Sequence, residues 1–319
     1  VIWARLPLSL LSPAGPRARL SILIFHRVLP ERDPLFPTEV DKGDFERICG
    51  WLGSMFNVLP LDQAVTRLAA GSLPERAACI TFDDGYADNR TQALPILQRH
   101  GLPATFYIAT GFLDGGRMWN DTVIESVRRT RQSKLDLRPL GLDGLERFDM
   151  ATTDLRRTAI ETIIRRIKHI RPVERLAHTE SIAELAQAEL PTDLMMSSAQ
   201  VREMRQGGMQ IGVHTVSHPI LATLSADEAR REIADCRQTL ETLLGERVAH
   251  FAYPNGKPGQ DYIDDSVRIV RELGFDSAVC TQWGAARQGT DRYQLPRFSP
   301  WDSTQPRFGL RMMGNLWKS

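Results

Sequence analysis

Ile80-Thr81-Phe82-Asp83-Asp84-Gly85-Tyr86 is the stretch that decides how this chain is read. An apolar run ends on two adjacent carboxylates and a glycine, the pattern of a buried strand entering a turn. Successive side chains of a strand point to opposite faces, so the two carboxylates converge only where the backbone leaves the extended form. Gly85 offers that exit. A second apolar run ends in Gly212-Val213-His214-Thr215-Val216-Ser217-His218. If the segment after Val213 turns helical, the spacing sets both imidazoles on one face, where they can share a metal ion. One carboxylate and two imidazoles leave positions open for water and substrate, which is the catalytic rather than the structural pattern. The remaining carboxylate can serve as a base in metal-assisted hydrolysis. Taken singly, each motif has a plainer reading: an aspartate capping the following helix, or one surface and one core histidine.

Around these motifs, short apolar runs alternate with amphipathic stretches, which predicts parallel strands covered by helices, an α/β fold. The strands are expected at 21–26, 56–59, 78–82, 104–109, 209–213, 248–253 and 277–281. Ser225 and Glu228 have capping-box spacing ahead of a 3.6-period apolar stripe that Gly245 stops, and Ser197 opens a second helix that ends near Gly207-Gly208. Parallel strands place their C-terminal ends on one rim, so both motifs meet there, as does His26 at the end of Ser21-Ile22-Leu23-Ile24-Phe25. The alternation breaks over 118–198, read as a mostly helical insertion at the rim of a barrel spanning 20–300. It carries helices at 121–131, 154–170 and 173–189 and a hairpin near 135–150. Residues 1–19 are read as an N-terminal extension and 301–319 as a C-terminal tail.

Composition narrows the classes. A chain of 319 residues with 42% apolar and 25% charged residues is ordinary for a globular protein. A formal net charge of +1 gives no global field for nucleic acid, and the arginine clusters at 128–131 and 165–168 read as solvated helix faces. Cys49, Cys79, Cys236 and Cys280 show no metal-binding spacing and are expected reduced and buried. The apolar N-terminus is broken by Arg5 and Pro7 and is too short to span a bilayer. It also lacks a basic n-region and a cleavage site, so a cytoplasmic protein, or one peripheral to a membrane, is expected.

Thr81-Phe82-Asp83-Asp84-Gly85 and His214-Thr215-Val216-Ser217-His218 resemble the first two motifs of the polysaccharide deacetylases, carbohydrate esterase family four. The resemblance covers roughly 21–300, outside the helical insertion. It implies a distorted (β/α) barrel of about seven parallel strands. It also implies a divalent metal, most often Zn²⁺, with Co²⁺, Mn²⁺, Ni²⁺ or Fe²⁺ as substitutes, held by Asp84, His214 and His218. Asp83 would deprotonate the metal-bound water. The third motif is partly kept in Phe251-Ala252-Tyr253-Pro254-Asn255-Gly256, where the backbone N–H of Asn255 can help hold an oxyanion. The family arginine that steadies the catalytic aspartate is absent: Ala252 stands in its place, and Arg297 is the candidate replacement. The family's late histidine is missing too. Ile22-Leu23-Ile24-Phe25-His26-Arg27-Val28 is similar to the opening strand of a branch with circularly permuted motifs, which makes His26 the expected general acid.

The resemblance therefore implies removal of N-acetyl groups from amino sugars of a glycan or glycoconjugate, without nucleic acid or an integral membrane segment. Tyr86 is a candidate sugar platform with an alternative as a packing residue, and Trp119, Asn120 and Asp121 are candidates to line the sugar cleft, where Asn120 or Asp121 can equally cap the following helix. Three other readings remain. A Mg-dependent phosphatase needs acidic residues two apart on a strand, whereas Asp83 and Asp84 are adjacent. An O-acetyl esterase uses the same site. A glycan-binding module without catalysis is favoured by the missing arginine at 252.

Overall fold

The seven expected strands form at the expected places in the computed structural model, which describes residues 2–300 and 302–317. The strands are β1 (Arg19–Phe25), β2 (Asn57–Val58), β3 (Ala77–Phe82), β4 (Thr105–Ile108), β5 (Lys134–Asp136), β6 (Arg147–Asp149), β7 (Gln210–Val213), β8 (His250–Ala252), β9 (Ser277–Val279) and β10 (Ala286–Arg287). The chain divides into two compact units.

The first unit holds 1–31, 40–113 and 196–319. Among its described residues, one curled sheet runs β10-β1-β3-β4-β7-β8-β9, and β2 pairs with the start of β3. Every pairing is parallel except β10 on β1, and the whole is the distorted barrel expected. Leu295 bridges to Val279 of β9 and Phe298 to Leu23 of β1, so the segment 295–298 links one end of the sheet to the strand next to its other end.

Side-chain alternation sorts the strands into two layers. Ile22, Cys79, Tyr107, Ala252, Val279 and Leu295 form the inner cluster. Leu23, Phe25, Ile80, Phe82, Phe106 and Phe251 face the helices in the main core. Gly212 is required where it stands, because a Cβ there would come within 2.4 Å of the Tyr107 ring. Beneath the carboxylate turn, Phe82 stacks on Phe106 at 4.6 Å and on Phe25 at 5.3 Å, while Phe45 packs edge-on against Phe25 and Phe82. Burial of each such ring contributes about 2–3 kcal/mol, so the floor of the rim is firmly held.

The helix caps also form as expected. Ser197 and Ser225 make complete capping boxes on helices Ser198–Gln206 and Ala226–Leu244, and Gly245 closes the second at φ 69°. All four cysteines are buried free thiols.

The second unit holds 32–39 and 114–195. The expected insertion over 118–198 is thus its larger part, with shifted ends and an added early segment. Arg128 explains that addition by pairing with both carboxylate oxygens of Asp33, and Arg157 by donating to the carbonyls of Pro34 and Leu35. The helices are Trp119–Arg129, Thr153–Ile167 and Pro172–Ala186, with β5 and β6 as the hairpin. The described parts of the expected extension 1–19 and tail 301–319, residues 2–19 and 302–317, are not separate appendages. Helices Ile2–Leu11 and Gln305–Trp317 pack on each other, and Ala4, Leu8, Phe308, Met312 and Leu316 belong to the main core. Val1, Trp301, Lys318 and Ser319 lie outside the described residues.

Candidate functional site

The inward alternation of β3 continues past its end. Ala77, Cys79 and then Thr81 and Asp83 fall on one side, and the Asp83 N–H still donates to Phe25 O at 3.0 Å. Then the backbone reverses. Gly85 N–H donates to Asp83 O at 3.0 Å around Asp84, whose φ is 76°. This is the rarer, strained kind of γ-turn, and a non-glycine residue held there costs about 1–3 kcal/mol. Strain of this kind gathers at functional sites, and here it brings two neighbouring carboxylates to one side.

Asp83 is 3% exposed and Arg297 1%. The guanidinium meets both carboxylate oxygens at 2.7 Å, a bidentate pair. It also donates to Thr81 Oγ1 at 3.1 Å and to Cys280 O at 3.2 Å, and lies over the Tyr107 ring. Burial alone would raise the Asp83 carboxyl, but Arg297, with help from His214 and His26, holds it below its ordinary range. The carboxylate is therefore ionised and fixed in direction. Ala252 belongs to the same inner cluster as Tyr107 and carries no long side chain there. The supporting arginine comes from the segment that closes the sheet.

Among the described residues, Asp84, His214 and His218 offer three ligand atoms that all lie within 4.8 Å of one another. His214 Nε2 is 3.4 Å from Asp84 Oδ1, and His218 Nε2 is 3.5 Å from the same oxygen. These gaps exceed a good hydrogen bond. They match the edge of a tetrahedron of N and O donors around a metal such as zinc, about 3.4 Å. Asp84 Oδ1 is buried without a hydrogen-bond partner, as a waiting metal ligand would be. His214 Nδ1 donates to Ala252 O at 2.8 Å, which leaves Nε2 as the ligand atom. A divalent cation fits this donor set.

Charge supports the same assignment. Burial pushes Asp84 up, but His214 and His218 override it and keep the carboxyl well below its usual range. Burial also pushes the His218 imidazole down, to about 4, so it stays neutral and able to ligate. At His214 burial is outweighed by Asp83 and Asp84, and its affinity for a proton is raised. A metal would displace that proton on binding.

The histidine segment is not helical, contrary to the condition set from its spacing. Thr215 at φ 65° and His218 at φ 52° fold it into a turn, and the imidazole centroids lie 4.8 Å apart. Two groups outside any motif hold this turn. Glu232, on helix Ala226–Leu244, accepts from the N–H of Val216 and of Ser217 at 2.9 Å and from Ser217 Oγ at 2.6 Å. Gly111 donates to Val216 O at 2.8 Å, and a Cβ there would come within 2.7 Å of the same oxygen. Glu232→Ala should weaken metal binding about 10- to 100-fold by freeing the turn. Titration of the apoprotein against a competing chelating dye measures this, and a wild-type affinity would exclude the clamp.

His26 is exposed at the end of β1, and its charge is felt at Asp83, Asp84 and His218. Its loop is tied down from below. Asn89 Nδ2 donates to His26 O at 2.9 Å, while Asp88 accepts from Arg27 Nε at 2.7 Å and Val28 N–H at 3.1 Å. Asn255, in the loop after β8, has φ 58°, and its carbonyl accepts from Thr281 Oγ1 at 2.8 Å.

The two candidate sugar-binding residues both make packing contacts. Tyr86 is 4% exposed with the Arg27 guanidinium 4.6 Å over its ring, so it packs rather than offering an open platform. Trp119 opens its helix in the second unit and packs against that unit's core, with Arg175 4.6 Å over its ring. Met118 holds the cap position of that helix, so neither Asn120 nor Asp121 is its N-cap.

The model of the family described as "Polysaccharide deacetylase" matches residues 70–137 and 173–278. A Bacillus subtilis (strain 168) protein, YxkH, provisionally named a polysaccharide deacetylase, is 22% identical over 88% of this chain and 71% of its own. A Staphylococcus aureus poly-beta-1,6-N-acetyl-D-glucosamine N-deacetylase is 31% identical over 117 residues, which span 36% of this chain and 38% of that one. Two solved structures share the fold. The Streptococcus pyogenes deacetylase PplD superposes at a TM-score of 0.62 with 20% identity, covering 93% of this chain and 98% of its own. IcaB from Ammonifex degensii does so at 0.61 with 18% identity, covering 95% and 98%.

Proposed function

The chain belongs to the polysaccharide deacetylase family, and from that premise we propose that it hydrolyses N-acetyl groups on the amino sugars of a polysaccharide or glycoconjugate. The observation that carries this reading is the buried Asp83–Arg297 pair set beside the Asp84, His214 and His218 donors. The chemistry a divalent cation supplies at such a site, Zn²⁺ foremost, is polarisation of a carbonyl and acidification of water. Asp83, kept ionised, takes a proton from the attacking water. The Asn255 N–H meets the oxyanion that forms on the acetyl carbon. An amine leaves poorly unless protonated, so His26 gives a proton to the nitrogen as the C–N bond breaks. Acetate and a free amino sugar result. In this reading His26 replaces the family's late histidine, as in the branch with circularly permuted motifs.

Support for an amide substrate comes from the Staphylococcus relative, which is named an N-deacetylase. Arg297 beside Asp83 weakens the reading of a silent glycan-binding module, whose argument was the missing arginine at 252. The test is acetate release from β-1,4- and β-1,6-linked N-acetylglucosamine oligomers, with O-acetylated sugars in parallel. Release from the amides is expected, stopped by a chelator and restored by Zn²⁺ or Co²⁺. Chelator-insensitive release would remove the metal from the account. Release from the O-acetyl sugars alone would make the protein an esterase.

A further inference from the structure

Helices Ile2–Leu11 and Gln305–Trp317 lie together on the outside of the first unit, the second against β1, where Asn315 reaches Ser21. Each is amphipathic, with its inner face already spent on the core. Their outer faces carry large apolar side chains in water. Leu6 is 70% exposed, Leu10 76%, Leu310 61% and Trp317 76%. Pro7, Leu10, Leu11, Met313, Gly314 and Trp317 line a groove between the helices without a charged group. Gly314 also lines a neighbouring groove, where Leu310 and Trp283, itself 47% exposed, stand among Asp302, Arg307 and Arg311. The uncharged groove with the exposed apolar side chains beside it is a patch of the kind that marks an interaction site.

The two segments are rich in arginine, although Glu75, paired with Arg76, also faces Ser9 of the first helix. The chain carries 40 basic and 39 acidic residues, yet residues 1–30 hold four arginines and no acid. Residues 303–319 hold two arginines, one lysine and no acid. Arg5, Arg17 and Arg307 are exposed, and Asp302, the acid bordering the second groove, is paired with Arg311. Leucine and tryptophan on a face edged by arginine suit the boundary between lipid headgroups and acyl chains. No helix among the described residues is long and apolar enough to cross a membrane, so the contact would lie on the surface. A two-fold contact with a second copy fits less well, because it would bring two arginine-rich patches of like sign together.

We propose that this face docks the protein on an anionic lipid surface, with Leu6, Leu10, Leu310 and Trp317 entering the headgroup region and Arg5 and Arg307 meeting phosphates. The proposal does not depend on the catalytic reading.

The test is co-sedimentation of the full chain with phosphatidylcholine vesicles and with vesicles of phosphatidylcholine and phosphatidylglycerol in equal parts. Binding to the anionic vesicles should exceed that to the neutral ones by about tenfold or more, and should weaken as salt is raised. Leu10→Glu and Trp317→Ala should each lose most of the binding while keeping the parent's thermal melt and its acetate release from soluble oligomers. Equal binding to both vesicles, or variants that bind like the parent, would overturn the proposal. Absence of vesicle binding together with a concentration-dependent dimer that Leu10→Glu breaks would assign the face to a second copy instead.

Discussion

Asp83→Asn is expected to take up metal like the parent and to release acetate about 10²- to 10⁴-fold more slowly, the usual contribution of a positioned general base. The prediction separates two roles that sit on adjacent residues. Asp84 shares its Oδ1 with both imidazoles, at 3.4 and 3.5 Å, whereas Asp83 gives both oxygens to Arg297. Removing one oxygen's charge at 83 thus leaves the donor set whole and deletes the proton acceptor. Some stability goes with it, because Arg297 would lie buried with half its pairing gone. Rates should therefore be compared per folded, metal-loaded molecule, with metal content measured on the same sample. Full metal content at the parent's rate would show that another group takes the proton. A rate loss matched by metal loss would move Asp83 into the ligand set.

The fold was legible because it rests on local signals. Apolar runs such as Ser21-Ile22-Leu23-Ile24-Phe25 declare buried parallel strands, and serine with Glu or Gln three residues on declares a helix start. The convergence of the donors was legible only in outline, since parallel strands must bring their ends to one rim. How they converge was not. The turn also runs close to β4, where Gly85 at φ 92° leaves no room for a side chain because a Cβ there would meet Ile108 at 3.3 Å. The histidine turn had one overlooked local sign: Pro219 follows His218, and a residue before proline is biased away from the helical region. Glu232 had none, because its helix carries several charged side chains and only the folded register selects one to face Val216 and Ser217. The packing of Tyr86 was hidden for a similar reason, since the arginine that covers it comes from another strand end.

Arg297→Met should be the most damaging single change at this site, for the fold and for the reaction together. Both partners of the pair are essentially out of water, so solvent screening gives little relief. Deleting one member of such a pair costs about 3–5 kcal/mol, because the other is left charged and unmatched. With Arg297 present, the Asp83 carboxyl sits below its ordinary value. The pair then adds stability above the unfolded carboxyl value of about 3.9, and that stability fades as pH falls through the lower folded value. In Arg297→Met burial acts with much less opposition, so the folded carboxyl should titrate above the unfolded one and the variant should lose stability as pH rises. Denaturant melts at acid and neutral pH would show a deficit that widens toward neutrality. Acetate release should fall by about 10²-fold or more at neutral pH and recover in part at higher pH, as the carboxyl ionises again. Arg297→Lys restores the charge without the two-point grip. It should recover the pH dependence better than the maximal rate, because ionisation needs a nearby cation and direction needs the fork. If lysine restores both equally, direction is set by something other than Arg297. If methionine leaves the pH profile unmoved, the guanidinium is a packing element and not the group that keeps Asp83 charged.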